Sequence, residues 1–142
     1  MAFRISKVDV WVVDLYNRPG MLARVLEALA NSGANLEFIV ARRVTENTAR
    51  AFVAPLRGAA QLRAAREVGM AKASGMHSLR IEGPDRPGLG ALLTRRLADA
   101  GLNLRGLSAA ALGKRSVTYA AFKTAAEATQ AMRVLKTVLA GR

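Results

Sequence analysis

Asn17-Arg18-Pro19-Gly20 recurs 68 positions later as Asp85-Arg86-Pro87-Gly88. Thirteen residues beyond each glycine stands another, Gly33 or Gly101, and two further on an asparagine, Asn35 or Asn103. Nine of the twenty paired positions in 17–36 and 85–104 are identical. This is an internal duplication, and a repeat is read before any fold is assigned. Each copy lies between a β-like and a helix-like run, so the repeat builds the same strand-to-helix turn twice.

Working outward, Val8 to Tyr16 is valine-rich with one tryptophan and one tyrosine, which predicts a strand. Proline and glycine break it. Met21, Leu22, Val25, Leu26 and Leu29 follow at the spacing of one helix face over Met21 to Asn31, with Gly33 placed to cap the helix end. Leu36 to Val44 and Ala49 to Leu56 read as strands joined by the polar Thr45-to-Thr48 turn. Pro55 marks an exit or an edge. Ala59 to Glu67 reads as a helix. The order then repeats: strand Met76 to Gly83, helix Leu89 to Ala100, strands Asn103 to Leu112 and Ser116 to Phe122 around Gly113-Lys114, and helix Ala125 to Leu139. Phe3 to Ser6 is a further short strand, aligned at the same offset of 68 with Ala71 to Ser74.

The β-α-β-β-α order with a right-handed crossover predicts an α+β fold of two ferredoxin-like units in tandem, each an antiparallel sheet with helices on one face. The units are expected at 1–68 and 69–142. Residues 70–73 would close the first sheet. Nothing strand-like follows Leu139, so Phe3 to Ser6 is expected to close the second, from the same chain or from a partner.

Composition bounds the function. Half of the 142 residues are hydrophobic (51%), as in a globular protein. No cysteine is present, which removes disulfides and thiolate chemistry and fits a reducing compartment. No apolar run approaches the roughly 20 residues of a membrane helix, and no signal peptide is recognised, so a cytoplasmic location is expected. The net charge is +12. Scattered arginines read first as a solvated surface, and secondly as a surface for an acidic partner.

A strand, then [Asp/Asn]-Arg-Pro-Gly, an amphipathic helix, and Gly-x-Asn-Leu opening the next strand resembles the ACT domain. The two copies together resemble a stand-alone tandem ACT protein over nearly the whole chain. That resemblance implies a regulatory, allosteric protein binding a small molecule, most often an amino acid, at an interface between two such domains. It implies that Gly20 and Gly88 let the backbone approach the ligand. Asn35 and Asn103, with Leu36 and Leu104 beside them, would face it across the interface, and Asn17 and Asp85 occupy the loop position. It also implies a homodimer and a regulated enzyme or transporter as partner.

The residues support the same chemistry independently. The first amides of a helix lack internal partners and favour an anion. The candidates are those of Gly20, Met21 and Leu22, and of Gly88, Leu89 and Gly90. Asp85, Asn17 or Asn35 can accept from an ammonium group. The plainer reading makes Asn17 and Asp85 helix caps and the glycines turn formers. Gly90 stands where the first copy has Leu22, so the two pockets differ.

Other chemistries find little support. Gly83 to Gly90 has P-loop glycine spacing without the lysine and hydroxyl. His77 is the only histidine, too few for a zinc site or a triad. The chain is read as a non-enzyme with no cofactor, metal or catalytic residue. The alternative functions are RNA binding, for which Arg50-Ala51-Phe52-Val53 is a thin echo and Phe52, Tyr119 and Phe122 share no repeat position, and a ligand-free interaction domain.

Overall fold

A computed structural model describes residues 3–140. The elements run β1 (Arg4–Val8), β2 (Trp11–Tyr16), α1 (Met21–Asn31), β3 (Phe38–Arg43), β4 (Thr48–Ala54), α2 (Gly58–Glu67), β5 (Ala71–Lys72), β6 (His77–Pro84), α3 (Leu89–Asp99), β7 (Gly106–Leu112), β8 (Arg115–Phe122) and α4 (Ala125–Leu139). They form two four-stranded antiparallel sheets, ordered β3-β4-β2-β5 and β1-β6-β8-β7. The architecture is α+β, two ferredoxin-like βαββαβ units. One compact unit is Asp9–Ala73, and the other joins Met1–Val8 to Ser74–Arg142, so the units do not divide at 68/69.

In the first unit, Trp11, Val13, Val25, Leu29, Val53 and Ala65 form the core, and Leu29 and Val53 are fully buried. In the second, Leu79, Ile81, Leu93, Leu97, Phe122, Leu135 and Leu139 do so. Each of the larger aliphatic and aromatic side chains contributes about 2 kcal/mol by leaving water. The apolar stripes of α1 and α3 therefore hold the helices on their sheets, and each helix start is carried with them.

The strand expected over Val8 to Tyr16 is broken. Val8 ends β1 and Trp11 starts β2, with Asp9 between them paired to Lys72 at 3.3 Å. Pro55 lies just beyond β4, an interior strand of its sheet, so it marks an exit.

Two parts of the repeat do not follow the 68-residue offset. β1 lies antiparallel to β6 with Lys7 opposite Leu79, and β5 lies on β2 with Lys72 opposite Trp11. Lys7 thus corresponds to Lys72, and Ile5 to Met70, at an offset of 65, not 68. The apolar face decides this register: Ile5 packs on its unit's core, and Met70 is 3% exposed in the other. The second hairpin is also one residue tighter. Asn17 N–H donates to Asn47 O at 2.8 Å, and Asp85 N–H to Lys114 O at 2.8 Å, so β4 and β8 are related by 67. Phe52 and Tyr119 therefore do share a repeat position.

A carboxylate stands at one equivalent position in both sheets. Asp14 accepts from Arg50 Nε at 2.7 Å. Glu82 accepts from Arg80 at 2.8 Å and Arg115 at 2.9 Å. Hydrogen bonds from Arg80, then Arg115, hold the Glu82 carboxyl down at about 2. A depressed carboxyl adds stability above its unfolded pKa and loses it as pH falls through the folded one. Glu82→Gln should therefore cost about 1 kcal/mol at pH 7, discounted because the site is partly wetted. Urea titrations of both forms should show that difference closing between pH 4.5 and 2. A difference that is constant with pH would mean the ion pairs contribute nothing.

Candidate functional site

Helices α1 and α3 begin the same way. Gly20 (φ 88°) and Gly88 (φ 81°) are the N-cap residues, both in the left-handed region where a side chain is strained. A Cβ at either would meet nothing within 4 Å, so conformation and not crowding selects glycine. No side chain caps either helix. Asn17 and Asp85 are thus not the caps of the plainer reading, and the Asn17 amide donates instead to Glu46 O at 3.2 Å. The amides of Met21 and Leu89 are occupied, donating to Arg18 O and Arg86 O at 3.3 Å. The second- and third-position amides, Leu22 and Ala23 or Gly90 and Ala91, are left without intrahelical partners.

Each helix start overlooks a cleft on the helix side of its sheet. The α3 cleft, about 250 Å³, is lined by Asp85, Arg86, Gly88, Leu89, Gly90, Leu93, Thr94, strand β7 residues Leu107 and Ala109 to Ala111, and Ser116 and Thr118 of β8. The α1 cleft, about 200 Å³, is lined by Leu15, Tyr16, Asn17, Arg18, Met21, Leu22, by Ala41, Arg42 and Arg43 of β3, and by Ala49, Arg50 and Ala51 of β4.

Of the residues singled out in the sequence, Asn17, Met21 and Leu22 meet in one cleft and Asp85, Gly88, Leu89 and Gly90 in the other. Gly20 is the α1 cap beside its cleft. Asn35 and Asn103 line neither cleft and are exposed on the segments leading into β3 and β7. Leu36 and Leu104 pack against the two cores.

The clefts differ more than the sequence suggested. Four arginines and no carboxylate line the first, although Asp14 neutralises Arg50. The second has one aspartate and one arginine. Arg42 and Arg43 correspond to Ala110 and Ala111, and Ala49 and Ala51 to Ser116 and Thr118. The floor hydroxyls escaped the sequence reading because a uniform 68-residue offset misaligns β8 by one residue.

Residues 12–68 match the family model of the ACT domain. These residues are an ACT domain. Over nearly the whole chain the tandem ACT-like fold is shared with solved structures. Protein BT0572 from Bacteroides thetaiotaomicron matches with a TM-score of 0.79 at 16% identity, over 94% of this chain and 89% of that one. The ligand-free regulatory subunit of aspartate kinase from Thermus thermophilus matches at 0.65 and 18% identity, over 97% of each chain. E. coli aspartokinase III, in complex with aspartate and ADP, matches at 0.59 and 16% identity, over 97% of this chain and 33% of that enzyme. No curated protein sequence matches the chain.

The described residues contain no helix long and apolar enough to cross a membrane. Of the three aromatics considered for RNA stacking, Phe122 is fully buried and Tyr119 is 5% exposed, while Phe52 is half-buried.

Proposed function

We propose that this tandem ACT protein is a regulatory module that binds a free amino acid at its Pro-Gly turns. The observation that carries the reading is the duplicated cleft, which places free helix-start amides beside Asp85 in one copy and Asn17 in the other. An α-carboxylate suits those amides, and an α-ammonium suits Asp85. The likeness to regulatory parts of aspartate kinases points the same way. The protein regulated in this way would be an enzyme or transporter.

We place the complete site at a homodimer interface. Strands β3 and β7 are sheet edges, and Ile39, Val44, Leu107 and Leu112, on or next to them, are large exposed hydrophobic residues. The β7 edge carries no charge to discourage pairing. The exposed Asn35 and Asn103 lie just before these edges, placed to reach a ligand held by a second copy.

Calorimetry across the twenty amino acids should give saturable heat for at least one, with a matching rise in melting temperature by mass action. Gly88→Val should remove binding at the α3 cleft, because a β-branched side chain strains the left-handed cap that aims the amides. No heat and no melting shift with any amino acid would end the amino-acid reading.

A further inference from the structure

We infer that Thr118 is a specificity-determining residue of the α3 cleft, reading an uncharged polar group on the bound ligand, and that the α1 cleft has no such selectivity. The inference rests on the amino-acid reading above and names what one of the two clefts selects.

Thr118 is 5% exposed and lies in the cleft floor. Its hydroxyl has no hydrogen-bond partner among the described residues, whereas the neighbouring Ser116 donates to Gly83 O at 3.3 Å. No fully covered side-chain polar atom among the described residues lacks a partner, so the Thr118 hydroxyl is not sealed in and opens on the cleft. The hydroxyl therefore depends on whatever enters the cleft, water or ligand, for its hydrogen bonds, and valine, of the same shape, would fill the floor at little cost to the fold. In the other unit that position is Ala51, 1% exposed, and a methyl group closes the floor.

The same cleft holds the free amides of Gly90 and Ala91 at the start of an eleven-residue helix. A carboxylate on those amides leaves the rest of a small ligand over Leu93 and Thr118. Apolar contact with Leu93 tolerates many short side chains. A single neutral hydroxyl discriminates among them, because a site that offers a hydrogen bond rejects an analogue that cannot make it. The preferred ligand class is an amino acid whose short side chain ends in a hydroxyl or carboxamide.

The test is calorimetry on the full chain with three isosteric pairs: serine and 2-aminobutyrate, threonine and valine, asparagine and leucine. Amide shifts in ¹⁵N spectra locate each site. In the wild type the polar member of at least one pair should bind roughly tenfold or more tightly than its apolar partner, shifting Gly88 to Ala91. In Thr118→Val that preference should vanish while the unliganded melting temperature does not fall. A preference that survives Thr118→Val, or that arises with shifts at Gly20 to Ala23 alone, overturns the inference. Equal binding of both members at the α3 cleft overturns it too but leaves the amino-acid reading intact, whereas no binding by any probe counts against both.

Discussion

A chain lacking residues 1–8 should lose the sheet built on β6 while the sheet built on β2 keeps its protection. The segment is sixty-nine residues or more from the strand it joins in sequence, yet all five residues of β1 pair with β6, from Arg4 opposite Glu82 to Val8 opposite Ser78. Phe3 and Ile5 are half-buried against the second unit's core. Lys7 Nζ also donates to Thr129 Oγ1 of α4 at 2.7 Å. Removing the segment strips one side of β6 of its ladder bonds and returns two apolar side chains to water. The expected loss is on the order of 4 kcal/mol, a large part of a small domain's stability. Hydrogen exchange should rise across His77–Pro84 and Arg115–Phe122, the strands paired through β6. Trp11–Tyr16 and Thr48–Ala54 share no ladder with β1 and should stay protected. Unchanged exchange in β6 and β8 would reduce the N-terminal strand to an ornament.

How much of this was legible in the sequence depends on which forces act locally. Helices α1 and α4 were bounded correctly at both ends, because apolar spacing and end signals are local. In the structure Thr124 caps α4, accepting from Glu127 N–H at 3.1 Å. The Pro-Gly turns were legible for the same reason: a left-handed cap demands glycine whatever surrounds it. Register was less so. The offset of 68 holds through Leu36 and Leu104, but not for the closing strand or for β8, where a loop of different length slides one strand along another. Those slips hid the equivalence of Ile5 with Met70, of Phe52 with Tyr119, and of Thr118 with Ala51. The candidate site was accordingly half visible. Its helix-start wall could be named from the repeat, but its strand-built floor depends on pairing.

The corrected register also leads to the second large effect. Gly83 occupies the place of Leu15, since β6 and β2 follow the offset of 68. Continuing the β1–β6 ladder sets Phe3 opposite Gly83; in the first unit Val68, the C-cap of α2, packs against the same core as Leu15. One unit thus spends its volume as leucine and valine, the other as glycine and phenylalanine. Leu15 and Val68 both pack on the first core, and Phe3 on the second. A Cβ built on Gly83 would collide with Cδ1, Cε1 and Cγ of the Phe3 ring, far closer than van der Waals contact. Glycine is needed there by close approach. Gly83→Leu alone should therefore cost roughly 3 kcal/mol or more through overpacking. Phe3→Val alone should cost about 1–2 kcal/mol, since a half-buried ring is only partly replaced. Together they install the first unit's pair, and the double variant should recover at least about 1.5 kcal/mol relative to the sum of the singles. Urea unfolding of the four proteins measures that coupling directly. If the two costs simply add, the ring does not depend on the glycine, and the exchange of large and small side chains between the repeats has no energetic meaning.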